Sequence, residues 1–349
     1  MPDAPKFLVL AQGSFDPVRS KTANACIRYT PERVAAVLDS TQRGKTAQQV
    51  LGFGGGIPVV GSVDEGLAHR PTALLIGIAP QGGQLPEEWR GIIGRVLDDG
   101  MDVWSGLHVL LGDDAEFAAR AARTGATIHD LRRPPARLDV ARGRVRDVAA
   151  TVVLTVGTDC NIGKMTAALQ LLHGLRARGH RVAFAGTGQT GILVDGKGIA
   201  VDAVIADFIA GAAERLVLEA APDADIVLVE GQGSIIHPSY SGVTYGLLHG
   251  SLPHAQVMCT QPSRTAIRHN EWMPIPPLGE FIALHERVAL RPAPVIGVAL
   301  NTSDLADAEA AAAVQRTARE VALPATDPVR FDPTPLVDAI SEFHRARVG

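Results

Sequence analysis

The chain is poor in aromatic residues, in cysteine and in excess charge of either sign, and each shortage excludes a class of protein. Phe, Trp and Tyr make up 4% of the 349 residues, so the base-stacking platforms of single-strand nucleic-acid binders are not expected. The net charge is −4, and no Lys/Arg stripe with interleaved aromatics occurs, so we expect no nucleic-acid partner. The cysteines Cys26, Cys160 and Cys259 are widely spaced and fit neither a disulfide framework nor a zinc site. They indicate a reducing compartment, and a cytoplasmic protein is expected.

Long apolar runs are also missing. None reaches the roughly 18 residues of a membrane-spanning helix, and the start of the chain, with Asp3 and the short apolar stretch Phe7–Ala11, does not resemble a signal peptide. We therefore expect no membrane partner. Hydrophobic residues at 46% and charged residues at 20% are ordinary for a globular α/β protein, and the length favours two domains.

The first part of the chain alternates between strand and helix patterns, which predicts a mostly parallel sheet covered by helices. We assign residues 1–135 to a Rossmann-like domain. Its Gly52–Gly56 segment lacks a clean G-x-G-x-x-G and is interpreted as a loop with positive φ angles, in preference to a dinucleotide site. The predicted elements are strands at Phe7–Ala11, Ala73–Ile78, Asp102–Ser105, His108–Leu111 and near Thr127, and helices near Pro31–Leu38, at Pro86–Asp98 and at Asp114–Arg123.

The periodicity breaks at Arg132–Asp147, and we assign residues 148–349 to a second α/β domain. It begins with the strand Thr151–Val156 and ends with a helix at Thr334–Ala346. The other predicted strands are Arg181–Ala185, Ile226–Val229, Ala255–Cys259, Pro294–Leu300 and one near Ala322, and the Ala-rich run Ala306–Val314 is expected to be a helix.

The stretch Gly157-Thr-Asp-Cys-Asn-Ile-Gly-Lys-Met-Thr166 follows the strand Thr151–Val156 and opens a helix. Backbone N–H groups, a helix N-terminus and Lys164 together favour a phosphate-binding loop over an ordinary glycine-containing turn. The loop is one residue longer than G-x-x-x-x-G-K-[ST], and Met165 stands where a hydroxyl would hold Mg²⁺, so a metal requirement is doubtful. The candidate ligand-binding residues of this stretch are Gly157, Thr158, Asp159, Cys160, Asn161, Ile162, Gly163, Lys164, Met165 and Thr166.

A second constellation, Glu230-Gly-Gln-Gly-Ser-Ile-Ile-His-Pro238, follows the strand Ile226–Val229. Carboxylates at the carboxyl ends of parallel strands project into the crevice where such sheets bind ligands. Glu230 is a candidate metal ligand, amine-orienting group or general base, with a capping carboxylate as the structural alternative. His237 is either catalytic or a hydrogen-bonded loop histidine. Gln232 and Ser234 are candidate substrate ligands, and the loop N–H groups are candidate oxyanion donors.

The segment Gly186-Thr-Gly-Gln-Thr-Gly191 has the small and hydroxyl side chains of a narrow second ligand site, with Thr187, Gln189 and Thr190 as candidates. Asp202 and Asp207 further on are each either a ligand-binding carboxylate or a helix cap.

Two later segments also follow strands. Asn301 either reads an adenine with its amide or forms a turn. Arg264, Arg268 and His269 either bind substrate carboxylates or lie on a solvated basic helix face.

The loop Gly157–Lys164, the stretch Val229-Glu-Gly-Gln-Gly-Ser234 and Asn301 resemble the dethiobiotin synthetase branch of P-loop proteins. The full pattern is more similar to a two-domain family long catalogued as of unknown function. That family shares the loop ending Gly-Lys-Met-Thr, the Gly-Thr-Gly-Gln-Thr-Gly segment and the stretch Asp207–Glu214. The resemblance covers essentially the whole chain and is specific through residues 151–305.

This resemblance implies N-acetylation of D-glutamate, and of other D-amino acids, with acetyl-CoA as co-substrate. Coenzyme A carries phosphates and an adenine that such a loop and Asn301 would bind, and acetyl transfer needs no Mg²⁺. For the base that deprotonates the amine we favour Glu230, then His237 or Asp207. The alternatives are an Mg-ATP-dependent ligase, carboxylase or kinase-like enzyme, and a nucleotide-binding switch without turnover. A homo-oligomer is expected, with a dimer as the predicted state.

Overall fold

The structure is a computed structural model that describes residues 4–78 and 85–349. The chain forms two compact units, Met1–Pro134 with Ile192–Gly196 and Pro135–Gly191 with Lys197–Gly349. Each unit contains a six-stranded sheet in which every paired strand is parallel. The predicted α/β class, with a Rossmann-like domain before a P-loop domain, is confirmed.

The first unit has the strand order β3-β2-β1-β4-β5-β6. Its strands are β1 (Phe7–Leu10), β2 (Val34–Leu38), β3 (Val59–Val60), β4 (Ala73–Ile76), β5 (Asp102–Ser105) and β6 (Ile128–Asp130). Its helices are α1 (Lys21–Tyr29), α2 (Ala47–Leu51), α3 (Val63–Leu67), α4 (Glu87–Asp98) and α5 (Ala115–Thr124). The central strands are buried on both faces, as parallel strands covered by helices must be.

Two predicted elements of this unit are wrong. The helix expected near Pro31–Leu38 is a short 3₁₀ turn at Pro31–Arg33 followed by strand β2. Its run Val-Ala-Ala-Val-Leu is apolar at every position, so periodicity does not separate a buried strand from a helix. The strand expected at His108–Leu111 is a loop that runs into a 3₁₀ turn at Leu111–Asp113, and the N–H of Leu111 binds the carboxylate of Asp130 and takes no part in a sheet ladder.

The glycine-rich segment of the first unit is a loop with positive φ, as predicted. Gly52 ends α2 at φ 81°, and Gly54 (φ 96°) and Gly55 (φ 58°) follow. A Cβ on Gly54 would lie 2.5 Å from Cγ2 of Ile27, so a side chain is excluded by packing as well as by backbone conformation.

The second unit has the order β14-β13-β10-β7-β9-β8. Its strands are β7 (Thr151–Gly157), β8 (Val182–Ala185), β9 (Ile226–Val229), β10 (Ala255–Thr260), β13 (Val295–Leu300) and β14 (Ala325–Thr326), and a separate antiparallel pair is formed by β11 (Ala266–Ile267) and β12 (Asn270–Pro274). The helices that begin in it are α6 (Lys164–Ala177), α7 (Gln189–Asp195), α8 (Ala206–Ala220), α9 (Ser241–Ser251), α10 (Leu278–Val288), α11 (Asp307–Val321) and α12 (Thr334–Val348). Among the helices of the described ranges, none is long and apolar enough to cross a lipid bilayer.

The position of β7 determines where this unit can bind a ligand. β7 pairs with β9 on one side and with β10 on the other, and both pairs are parallel. After β7 the chain adds strands on one side of it, and after β10 it adds strands on the other side. A parallel sheet binds ligands where the direction of its connections changes in this way, outside the carboxyl ends of its strands. The loops that follow β7, β9 and β10 therefore lie side by side.

Candidate active site

The loop after β7 has the backbone geometry of an anion site. Asn161 and Gly163 have φ angles of 55° and 98°, and α6 begins directly afterwards at Lys164. No side chain of the described residues caps α6, whereas Asp114 caps α5 by accepting the N–H groups of its first turn. The first N–H groups of α6 therefore point at the loop, where an anion would take the place of a cap.

Close packing explains the first glycine of the loop. A Cβ on Gly157 would meet Cδ1 of Ile162 at 2.7 Å and the carbonyl oxygen of Cys259 at 3.2 Å. The N–H of Thr158 also donates to that carbonyl at 3.1 Å, and its hydroxyl donates to Oγ1 of Thr260 at 3.3 Å. The loop is thus tied to the end of β10.

Lys164 bends back over this loop. Its Nζ donates to the carbonyl oxygen of Asp159 at 2.6 Å, and 6% of the residue is exposed. Burial lowers the pKa of the ammonium, and the nearby Cys160 opposes that shift more than any other group. A bound phosphate would replace a neutral carbonyl by an anionic partner, so Lys164 has a physical reason to move onto it.

Asp159 is the structural centre of the loop, a role that the sequence did not reveal. Its buried carboxylate accepts the N–H of Cys160 at Oδ1 (2.6 Å), and at Oδ2 both Nη1 of Arg264 and the N–H of Arg268, each at 2.9 Å. Nη1 of Arg264 also donates to the carbonyl of Cys160 at 2.7 Å. Arg264, predicted as a substrate ligand, is therefore engaged in holding the loop.

Arg268 differs from Arg264. Its backbone N–H donates to Asp159, but its guanidinium makes no hydrogen bond or ion pair with residues 4–78 or 85–349. The side chain is half-buried in the turn between β11 and β12. It stays a candidate for binding a substrate carboxylate.

Glu230 joins two segments that the sequence presented as separate motifs. Its Oε2 accepts the N–H groups of Thr187 and Gly188 at 2.9 and 3.0 Å, and its carbonyl accepts the Thr187 hydroxyl at 2.7 Å. Burial raises the pKa of this carboxyl to about 7. The negative charge of Asp202 raises the pKa further, whereas the two N–H groups and the Lys164 ammonium lower it. A carboxyl that titrates near neutral pH suits a general base.

The loop after Glu230 is packed against backbone. A Cβ on Gly231 would lie 1.6 Å from the carbonyl oxygen of Thr155, and the Gly231 N–H is bound by Oγ1 of Thr155 at 2.9 Å. That N–H, considered above as an oxyanion donor, is therefore occupied. Gln232 donates to the carbonyl of Thr187, and the Ser234 hydroxyl donates to the carbonyl of Thr158 at 3.0 Å. Both side chains connect the site's loops to one another.

His237 is buried and carries its proton on the nitrogen that faces the loop. Nδ1 accepts the N–H of Ser239 at 3.1 Å, so in the neutral ring the proton is assigned to Nε2, which lies 4.0 Å from Oδ1 of Asp159. Burial lowers the pKa of this imidazole, which keeps it neutral. His237 is therefore arranged as a hydrogen-bond donor, and the role of base predicted for it does not fit this geometry.

Asp159, Cys160 and His237 each offer a ligand atom within 4.8 Å of the others, which is close enough to raise the question of a metal. These three side chains are not arranged to bind a metal ion. Oδ2 of Asp159 is paired with the Arg264 guanidinium, and Nε2 of His237 carries the proton that a metal would have to replace. The arrangement fits a hydrogen-bonded cluster around the loop.

The remaining predicted residues lie at different places around this site. Asn301 uses Oδ1 to accept the N–H of Ser303 at 3.1 Å, as a turn-forming residue does, while its Nδ2 lies about 4.0 Å from where a Cβ of Gly163 would stand. Thr187 and Thr190 are buried, and Gln189 is half-buried at the start of α7.

The stretch Asp207–Glu214 is divided between solvent and core. Asp207 is exposed in the first turn of α8, whereas Asp202, outside this stretch, is near enough to Glu230 to contribute to its raised pKa. Glu214 is fully buried and binds the N–H groups of Arg142 and Arg144 and the Arg144 guanidinium. Its role is to hold the segment before β7.

A cavity of about 240 Å³ opens beside the phosphate loop. Its lining comes from the end of β10 and from α10 and α11, and includes Thr158, Thr260, Arg264 and Thr317. A larger cavity of about 520 Å³, lined in part by Arg181 and His344, includes none of the loop residues. The smaller cavity is the one placed to receive part of a ligand held by the loop.

Three comparisons with known proteins agree with this architecture. Residues 139–337 match the P-loop domain, and residues 40–134 the Rossmann-like domain, of the DUF1611 domains of unknown function. A D-glutamate N-acetyltransferase from Tritonibacter scottomollicae is 41% identical over 287 residues, covering 80% of this chain and 84% of that protein. A D-glutamate N-acetyltransferase from a Pseudoalteromonas species is 37% identical over 275 residues, covering 77% and 81%.

A crystal structure of a DUF1611 family protein from Anabaena variabilis superimposes with a TM-score of 0.93 at 38% identity, covering 97% of this chain and all of that one. Sequence and fold are thus shared along nearly the whole length. The chain belongs to the DUF1611 family, the family of these D-glutamate N-acetyltransferases.

Proposed function

We propose that this protein is an N-acetyltransferase that moves the acetyl group of acetyl-CoA to the amine of D-glutamate or a related D-amino acid. The observation that carries the proposal is the pairing of a phosphate loop with a buried carboxyl, Glu230, whose pKa of about 7 suits deprotonation of an amine. The names of the two curated relatives supply the reaction and the acceptor.

The donor would bind through its phosphates. The N–H groups at the start of α6 and the Lys164 ammonium would donate hydrogen bonds to a pyrophosphate, and the adjacent cavity gives room for another part of coenzyme A. Asn301 beside Gly163 is the proposed adenine ligand, through Nδ2. Met165 follows the lysine where an Mg²⁺-binding hydroxyl would be expected, and a thioether is a poor ligand for that hard cation.

The acceptor enters as an ammonium ion and attacks only after losing a proton. Glu230 takes that proton once it is itself ionised, since a protonated carboxyl cannot act as a base. The attack turns the thioester carbonyl into an oxyanion. The Nε2–H of His237 is the proposed donor to that oxygen. Arg268 is the proposed ligand of a substrate carboxylate.

A product assay tests the proposal. The purified protein is incubated with acetyl-CoA and D-glutamate in EDTA, and both free CoA thiol and N-acetylglutamate are measured by mass spectrometry. Matched reactions contain L-glutamate, another D-amino acid or no acceptor. Acetyl-CoA-dependent product in EDTA is expected. Product that appears only with Mg-ATP, or no acetylated amine from any acceptor, would contradict the proposal.

A further inference from the structure

Basic side chains gather at the amino ends of β7 and β10, at the edge of the second sheet opposite the phosphate loop. Thr151 begins β7 and His254 directly precedes β10, whereas the phosphate loop follows the last residues of β7. A strand of seven residues spans about 20 Å, so this edge is separate from the candidate active site. The basic groups there are His254, Arg347 in the last turn of α12, and Arg291 in the segment before β13.

The ring of His254 is fixed by the neighbouring strand. Its backbone N–H donates to the carbonyl oxygen of Val152 at 2.8 Å, and its Nδ1 accepts the N–H of Val152 at 3.0 Å. Because a backbone N–H is always a donor, the proton of the neutral ring is assigned to Nε2. Burial, and after it the charges of Arg291 and Arg347, lower the pKa of His254 to about 3, which keeps the ring neutral. His254 therefore presents an N–H donor at Nε2.

Arg347 brings a second donor to the same place. Its Nε donates to Oγ1 of Thr151 at 2.8 Å, and its Nη2 donates to the carbonyl oxygen of Ala149. Its Nη1 lies 3.5 Å from Nε2 of His254. Both of these nitrogens carry hydrogens and neither can accept, so this contact is not a hydrogen bond. One oxyanion beside them would accept from both.

Arg291 adds a second guanidinium next to His254. Its Nε donates to the carbonyl oxygen of Pro253 at 3.1 Å, and its Nη2 donates to that of Leu252. Its Nη1 makes no hydrogen bond with residues 4–78 or 85–349. Burial lowers the pKa of Arg291 to about 10, and the charge of Arg347 lowers it further, so the two cations are near enough to repel each other.

The partners of these two arginines differ from those of Arg181, which also lies at an amino strand end. Arg181 forms an ion pair with Asp225. In the part of the chain that the structure describes, Arg291 and Arg347 donate only to backbone carbonyls and a hydroxyl, and no carboxylate pairs with either. Two half-buried guanidiniums in this situation favour an anion, and their planar donors match the oxygens of phosphates and carboxylates.

We propose that Arg347, Arg291 and His254 form a binding site for a small oxyanion, a phosphate or a carboxylate. The anion accepts from Nη1 of Arg347 and from the Nε2–H of His254, and Nη1 of Arg291 supplies a further charged donor. A bound anion links α12 to the segment before β10 and stabilises the second unit. The site lies outside the acetyl transfer proposed above and does not depend on it.

The imidazole signals of His254 test this proposal. Full-length protein with isotopically labelled histidine is titrated in Tris buffer with inorganic phosphate and, separately, with acetate, against NaCl at matched ionic strength. The ring signals are followed by NMR and assigned by their loss in His254→Asn. We expect a saturable shift of the Nε2 signal, and the anion that causes it distinguishes a phosphate site from a carboxylate site. No shift with either anion at millimolar concentration would overturn the proposal.

Substitutions of arginine test which donors bind the anion. Arg347→Gln and Arg291→Gln should each weaken binding by about tenfold or more, because each removes a charged donor. Arg345→Gln is the matched control, since it removes the same charge from an exposed position of α12 and should leave the affinity unchanged. Melting curves check that each variant folds, and either of the first two is sufficient for the test. Equal affinities in all three variants would contradict the site.

The phosphate loop is a second place where phosphate can bind, and Lys164→Ala separates the two. The response of His254 should persist in this variant, because the loop lies at the other end of β7. A response that Lys164→Ala abolishes would mean that His254 only senses an anion bound at the loop, and the proposed site would be wrong.

Discussion

Asp39 in the first unit and Glu230 in the second are both buried carboxylates that directly follow a parallel strand. Asp39 accepts three hydrogen bonds on its two oxygens, from the N–H of Phe15 at Oδ2 and from the N–H and hydroxyl of Thr41 at Oδ1. Glu230 accepts two, and both end on Oε2. The same location on a sheet therefore carries a fully bonded carboxylate in one unit and, in the other, a carboxylate with one oxygen that accepts neither of these two bonds, which is the difference behind the role of base that we propose for Glu230.

The largest expected effect separates these two carboxylates. Glu230→Gln should lower turnover by about 10²–10⁴-fold, because the amide cannot take a proton, while acetyl-CoA affinity stays nearly unchanged. Asp39→Asn is the matched control. It should keep turnover and lower the free energy of unfolding by about 1–3 kcal/mol, since an amide replaces an acceptor that three donors use. Steady-state kinetics and denaturant unfolding of both variants check this. Equal losses of turnover in the two variants would contradict a catalytic role specific to Glu230.

The next effect concerns the lysines that begin the helices after β1 and β7, Lys21 and Lys164. Lys164→Ala should weaken acetyl-CoA binding by about 10- to 100-fold, the expected worth of a hydrogen bond between charged groups. Lys21→Ala should leave the dissociation constant unchanged. Calorimetric titration of both variants with acetyl-CoA measures the dissociation constant. An unaltered affinity of Lys164→Ala would show that this lysine does not bind the acetyl donor.

Packing behind Glu230 gives the third prediction. Gly231→Ala places a methyl group against the carbonyl of Thr155 and should lower the free energy of unfolding by about 3 kcal/mol or more. Gly242→Ala, with no heavy atom near the new Cβ and a helical position in α9, should leave stability equal or slightly higher. Chemical denaturation of the two variants makes the comparison, and similar midpoints would contradict the close approach at Gly231.

The last expected effect is a pH dependence of stability. The folded pKa of Glu230 is raised from 4.5 to about 7, so its contribution to stability is present below pH 4.5 and is lost as pH rises through about 7. The wild type should lose up to about 3 kcal/mol relative to Glu230→Gln over that range. The measurement is the difference between the unfolding free energies of the wild type and Glu230→Gln from pH 4 to pH 8. A difference that does not change with pH would mean that the Glu230 carboxyl is not buried.

The sequence predicted the site where local patterns were sufficient. An apolar strand, a glycine turn and Gly163-Lys164 predicted the loop and helix α6, and Glu230 was placed at a strand end by the same reasoning. The apolar run Val34–Leu38 had no period, so strand β2 was mistaken for a helix. Contacts between residues far apart in the sequence could not be predicted, because no local pattern indicates that Arg264 binds Asp159.

The identity of the donor is tested most directly by calorimetric titration of the wild-type protein with acetyl-CoA in EDTA and, separately, with Mg-ATP. We expect tight binding of acetyl-CoA without Mg²⁺, competed by free coenzyme A. Binding of Mg-ATP with none of acetyl-CoA would contradict it and would assign the loop to ATP-dependent chemistry.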